Sequence, residues 1–232
     1  MSVDLDRRSF LKLVGGGIVV LVRLGPSDAV AQGRGYPTDI NAYLRIGEDG
    51  RVTVFSGKIE MGQGVMTSLA QMAAEDLGVG LDSIEMIMGD TDQCPWDMGT
   101  FGSLTTRMFG PALRAAAAQA RQVLLQLASE RLGAPKDRLV VENGVVSVKG
   151  EPARKVSYGA LAEGQAITRT VDEKAVLRAV PEFTVMGRSP RRLDGADKVT
   201  GSGRFAGDVR LPGLLYARVL RPPAHDKDDE HQ

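Results

Sequence analysis

Two glycine-rich segments, each set between an apolar run of strand length and a run with helical spacing, constrain this chain more than any other feature. The first is Gly57-Lys58-Ile59-Glu60-Met61-Gly62-Gln63-Gly64-Val65-Met66-Thr67. The second runs from 89 to 103, opening on Gly89-Asp90-Thr91 and closing on Gly99-Thr100-Phe101-Gly102-Ser103. Glycines at such junctions let main-chain N–H groups face an anion or a heteroatom-rich ligand, and the helix that follows adds the positive end of its dipole. Gln63 contributes an amide that both donates and accepts. An isolated Gly-x-Gly is more often an ordinary strand-to-helix turn. The pair carries the information, because two such loops at the ends of neighbouring elements can close around one extended, polar, anionic cofactor.

The pattern around the loops predicts an α+β fold. Residues 42–46 and 51–55 alternate apolar with polar around Glu48-Asp49-Gly50, as a β-hairpin does. Val65, Leu69, Met72, Ala73 and Leu77 share one helical face that stops at Gly78, and 83–88 alternates again as a strand. An alanine-rich helix is predicted from about 105 to 132, ended by Gly133, with Pro111 either starting or kinking it. Residues 139–148 form a second hairpin turned at Asn143-Gly144, and Ser157 caps a short helix. From Pro181 the composition shifts to Arg, Gly and Asp with short strands, the expected start of a second, incomplete domain.

Charge and cysteine content remove several functions. Twenty-nine Lys and Arg balance twenty-nine Asp and Glu, so no net field draws in nucleic acid. The single cysteine, Cys94, makes no internal disulfide and holds no iron–sulfur cluster alone; it reads as a small packed residue. His225 and His231 lie in the charged tail, 224–232, and are poor candidates for catalysis. The first 31 residues have the layout of a signal peptide: Arg7-Arg8-Ser9-Phe10-Leu11-Lys12, an apolar stretch over 13–24, then Ala29-Val30-Ala31. The paired arginines resemble a twin-arginine export signal, which moves folded proteins and implies a periplasmic destination, with cleavage after 29–31 or retention of the uncleaved signal as a membrane anchor as the two alternatives.

The two loops together resemble the xanthine dehydrogenase and aldehyde oxidase superfamily, through Gly57-x-x-Glu60-x-Gly62-Gln63-Gly64-x-x-Thr67, then Gly89-Asp90-Thr91, Pro95 and Gly99-Thr100-x-Gly102-Ser103 ahead of an alanine-rich helix. More narrowly, the chain is similar to the molybdopterin-binding subunit of the isoquinoline 1-oxidoreductase type. The resemblance implies molybdopterin with molybdenum, in the cytosine dinucleotide form, held by Gly62, Gln63, Gly64, Thr67, Thr100, Phe101, Gly102, Ser103 and Thr105. Gln63 and Gly64 would touch the pterin, Phe101 and Gly102 would lie beside the metal, with Gly102 against it, and Ser103 and Thr105 would bind the pterin or a phosphate. It further implies oxidation of N-heterocycles or aldehydes with water as oxygen donor. Electrons would leave through [2Fe-2S] clusters on an iron–sulfur small subunit, then a cytochrome c.

Arg192-Leu193-Asp194, Lys198-Val199-Thr200-Gly201, Phe205-Ala206-Gly207-Asp208 and Leu220-Arg221-Pro222-Pro223 resemble the opening of the superfamily's α/β hammerhead domain. The expected organisation is a signal over 1–31, part of a molybdopterin-binding α/β domain over 32–180, and a hammerhead opening over 181–223. The resemblance spans about 41–223, whereas the family continues well beyond it. The family's catalytic base is a glutamate in a Gly-x-Gly-Glu segment that this sequence lacks. Glu60 is expected to hold its loop by hydrogen bonds rather than to act as a base. Either another chain supplies the missing part, or the chain is a truncated, non-catalytic binding partner.

Overall fold

The structure is a computed structural model that describes residues 17–23, 40–94, 97, 99–170 and 175–221. The signal residues 1–16 and 24–31 and the tail 224–232 lie outside the described residues.

A five-stranded sheet carries the two glycine loops; its strands lie in the order β4 (Ile84–Met88), β3 (Val52–Ser56), β2 (Ile40–Ile46), β1 (Gly17–Arg23) and β8 (Ala166–Thr170). The first predicted hairpin is there as β2 (Ile40–Ile46) and β3 (Val52–Ser56), paired antiparallel across Glu48-Asp49-Gly50. All five β3 residues are buried, so this strand is covered on both faces. Chain leaving β3 passes through the first glycine loop into helix α1 (Val65–Leu77) and returns as β4 (Ile84–Met88), parallel to β3. That is a βαβ crossover, in which a helix must bridge two parallel strands. Leu69, Ala73 and Leu77 put the apolar face of α1 fully into the core. Burial of each leucine contributes about 1.5–3 kcal/mol. Gly78 ends the helix in a left-handed conformation, its N–H donating to Ala74 and Glu75 carbonyls.

The second loop feeds one π-helical turn, Thr105–Phe109, and then α2 (Gly110–Leu132). Pro111 lies in the first turn of α2, directly after the π-helical turn. Ala116, Ala117, Ala118 and Ala120 are fully buried, which lets this helix approach closely the sheet and α1 beside it. The second hairpin forms as β5 (Leu139–Glu142) and β6 (Val145–Val148), with Asn143 and Gly144 both at positive φ, as a type I′ turn requires. A third strand that the pattern did not indicate, β7 (Glu151–Ser157), pairs with β6. Ser157 caps α3 (Tyr158–Ala162) by accepting from the Ala160 N–H at 3.2 Å.

The apolar core of the export-like segment is not a free extension. Residues Gly17–Arg23 form β1, antiparallel to β2 on one side and parallel to β8 (Ala166–Thr170) on the other, with Ile18 fully buried.

The chain divides into two compact units, Met1–Asp194 and Gly195–Gln232. This division falls later than the change in composition at Pro181, because residues 175–194 form a strap fastened to α1. Glu75, buried on that helix, accepts from the N–H groups of Thr184, Val185 and Met186 at 2.9, 2.7 and 2.8 Å. Asp76 accepts from the Arg178 N–H at 2.8 Å and from Arg114 Nε at 2.6 Å. The second unit holds α4 (Gly195–Thr200) and a 3-10 turn (Ala206–Asp208). The short strands expected after Pro181 are not formed among the described residues. Strands are stable through pairing and through a covered face, and this unit offers neither: Leu215 and Leu220 remain 91% and 97% exposed.

Candidate functional site

The first glycine loop is built around Glu60. Its Oε1 accepts from the N–H groups of Gly62 and Gly64 at 2.8 and 2.9 Å, and its Oε2 accepts from the Met66 N–H at 2.9 Å. The carboxylate therefore sits on the N-terminal end of α1, where unpaired N–H groups and the helix dipole favour negative charge. Burial would raise its pKa, but the donations from Gly64, Met66 and Gly62 outweigh that and hold it below the ordinary carboxylate range. The expectation that the amides of this loop face a ligand is corrected here: the chain's own glutamate occupies three of them. Glu60 in turn is the loop-holding residue that its sequence position implied. Gly64 makes the turn at φ 85°, a left-handed conformation that favours glycine.

Gln63 folds back on the same loop, donating to the Ile59 carbonyl at 3.0 Å and accepting from the Met61 N–H. Each use spends half of the amide's capacity, so one Nε2 hydrogen and one oxygen lone pair remain on this exposed side chain. Thr67 is buried beneath the loop, and its hydroxyl accepts from the Leu193 N–H at 3.0 Å. From the strap, Arg192 donates to the Gly62 carbonyl at 2.9 Å and to Glu60 at 3.3 Å, while Asp194 holds its guanidinium at 2.9 Å.

The second loop begins with Asp90 accepting from the N–H groups of Asp92 and Gln93 at 2.9 and 3.0 Å, which lowers its pKa. Cys94 is half-buried, donates from Sγ to the Ile87 carbonyl at 3.3 Å, and has its thiol pKa pushed up by burial. Such a thiol is a packed residue and a poor nucleophile at neutral pH.

Two sets of bonds join the loops. Lys58 Nζ lies 2.8 Å from Asp97 Oδ1 and donates to the Gly99 carbonyl at 2.8 Å, and the Gly99 N–H donates back to Asp97 Oδ1 at 2.8 Å. The Ile59 N–H donates to Thr100 Oγ1 at 2.8 Å. Thr100 thus uses its hydroxyl between the loops. Beyond it, Phe101, Gly102 and Ser103 are exposed, with Gly102 and Ser103 both in the left-handed region at φ 62° and 54°. No acceptor for the N–H groups of Gly102 and Ser103 is found among the described residues. Thr105, by contrast, is buried at the start of the π-helical turn. Of the nine residues singled out in the sequence, Gly62, Gln63, Gly64, Thr100, Phe101, Gly102 and Ser103 fall on the two joined loops, and Thr67 and Thr105 lie below them.

Residues 4–204 match the family described as the molybdopterin cofactor-binding domain. The chain belongs to this family. It is 37% identical over 210 residues to a nicotinate dehydrogenase subunit of Pseudomonas putida, covering 88% of this chain and 17% of that protein. It is 29% identical to the beta subunit of isoquinoline 1-oxidoreductase of Brevundimonas diminuta, covering 96% of this chain and 34% of that one. Among solved structures, reconstituted CO dehydrogenase from Oligotropha carboxidovorans superposes with a TM-score of 0.50 at 30% identity, over 64% of this chain and 19% of that one. The chain therefore spans between about a sixth and a third of the length of these relatives.

The site fits the family's cofactor. Added Cβ atoms at Gly62 and Gly64 would meet nothing within 4 Å, so the main chain there is open to a close-lying ligand. The exposed faces of Met61 and Phe101 supply apolar surface for a flat ring, and the Gly102 and Ser103 N–H groups supply donors without partners among the described residues. Lys58 and Asp97 were not expected at the site from the sequence, and Arg192 was read only as part of the hammerhead-like segment. Lys58 stands inside the first motif, but nothing in its spacing indicates a partner thirty-nine residues away.

Proposed function

We propose that this chain forms part of the cofactor-binding subunit of a molybdenum hydroxylase that oxidises an N-heterocycle or an aldehyde, with water as the oxygen donor. The observation that carries the reading is the Ile59 to Thr100 bond, which sets two glycine loops side by side under one exposed surface. Bound molybdopterin would supply the two-electron redox chemistry. Gln63 would hold the pterin through its spare hydrogen and lone pair, with the main chain of Gly62 and Gly64 against the ring. Phe101 and the Gly102 and Ser103 amides would lie on the metal side, Gly102 nearest it. Thr67 and Thr105, both below the surface, would support the loops. Glu60 takes no proton in this reading, because its carboxylate is committed to three amides.

The substrate class follows the names of the relatives, two of which act by name on nicotinate and isoquinoline. The cytosine dinucleotide form of the cofactor, [2Fe-2S] clusters on an iron–sulfur small subunit and a cytochrome c complete the proposed complex. The exposed apolar side chains of 195–221 favour a further element that covers them. In this reading 32–180 is the molybdopterin-binding part and 181–223 opens an α/β hammerhead. The Arg7-Arg8 motif favours twin-arginine export to the periplasm.

The test is the full chain purified with its genomic neighbours and assayed for molybdenum and released pterin. Bound metal and pterin are expected, and Gln63→Ala is expected to lower pterin retention about tenfold, the equivalent of one charge-free hydrogen bond at the upper end of its range. Parent protein free of both would overturn the reading.

A further inference from the structure

We infer that Lys58 and Asp97 are positioning residues that fix the second loop against the first, and so set the geometry in which the proposed molybdopterin site is held. The inference rests on the cofactor reading above for its ligand, but not for its geometry.

The pair is buried while its loop neighbours are exposed: the side chains of Lys58 and Asp97 are 4% and 1% exposed, and Met61 and Phe101 are 65% and 43% exposed. Both partners act on Gly99, one on each of the two peptide groups that flank its Cα. Lys58 Nζ donates to the Gly99 carbonyl, and Asp97 Oδ1 accepts from the Gly99 N–H, each at 2.8 Å. Gly99 stands at φ 127°, and the next three residues are Thr100, Phe101 and Gly102. The ion pair thus pins the main chain at the residue from which the metal-side segment departs, and ties it to the loop that carries Gln63.

Stability alone does not account for this arrangement. Two charges taken out of water are recovered only through good geometry, and an apolar pair of similar volume commonly serves the fold as well or better. Asp97 Oδ2 is buried with no hydrogen-bond partner among the described residues, which adds a desolvation cost. What the ion pair provides and an apolar pair lacks is direction, because it bonds to both sides of the Gly99 residue.

The test compares full-length parent, Lys58→Met/Asp97→Leu and Asp97→Asn by thermal unfolding, amide hydrogen exchange and pterin content. The informative amide is Ile59, whose acceptor, Thr100 Oγ1, is touched by neither set of substitutions. In the double variant the midpoint is expected to stay near the parent's while Ile59 exchange rises on the order of tenfold or more and pterin content falls. Asp97→Asn keeps the volume and the Oδ1 acceptor, and is expected to lie between. Parent-like Ile59 exchange in either variant overturns the assignment. So does loss of protection spread along α1 and the sheet, which would make the pair a general prop. Parent protein without pterin defeats the cofactor reading alone, and Ile59 exchange still decides the clasp.

Discussion

Replacing Glu75 with alanine should detach the strap while leaving the sheet intact. The Glu75 side chain is fully buried and serves the Thr184, Val185 and Met186 N–H groups, the Thr184 hydroxyl at 3.3 Å and Arg178 Nη1 at 3.2 Å. Burial would raise its pKa, and the three amides with Arg178 reverse this and keep it ionised. Each hydrogen bond to a charged group is worth about 1.5–3 kcal/mol, but the three do not add in full, since a lifted strap gives its amides to water. Breaking a buried ionic network costs about 3–5 kcal/mol, and the solvated strap places this case near 3. For a chain of this size, about 3 kcal/mol lowers the midpoint by roughly 6–12 °C. Asp76 still holds Arg178 and Arg114, so exchange should accelerate over 183–188 while the Arg178 amide stays protected. Thermal unfolding with hydrogen exchange reads both. A midpoint unmoved, or a strap still protected, would refute the reasoning.

Acid should act on the same groups. Glu60 and Glu75 both have folded pKa values below their unfolded ones. Their contribution is therefore fully present above the unfolded value of about 4.3 and is lost as pH falls through the lower folded value. Proteolysis of the strap should be flat from about pH 7 to 5 and rise only below about pH 4; a rise already between 7 and 5 would contradict this. Gly144→Ala forces a side chain into a left-handed turn at φ 73°, with its Cβ 3.4 Å from Val79 Cγ1. It should cost about 1–2 kcal/mol, measured as a shift in urea midpoint at unchanged slope.

Local pattern made much of this fold legible. The β2–β3 hairpin, α1 with its Gly78 stop, β4, the Asn143-Gly144 turn and the Ser157 cap all follow from periods of two or 3.6 and from turn chemistry, which act over a few residues. The misses are long-range. A strand such as β8 is defined by a partner more than a hundred residues distant, as the Ile18 to Ile167 pairing illustrates. Glu75 and Asp76 read as polar residues on a helix, and only the returning strap explains why they are buried. At the site, the glycines and Gln63 were visible as a motif. That Glu60 would occupy the amides they free, and that Lys58 would reach Asp97, depends on side-chain directions no spacing encodes.

The placement of β1 bears on the proposed export signal, within whose apolar core it lies. A peptidase cutting near Ala29-Val30-Ala31 would turn β1, the strand between β2 and β8, into a separate peptide retained by its two ladders alone. Were that peptide to depart, β2 and β8 would face each other across a slot about two strand spacings wide, roughly 10 Å, with both rims carrying unmet donors and acceptors. Such a slot would present its two open rims to any extended segment of suitable length.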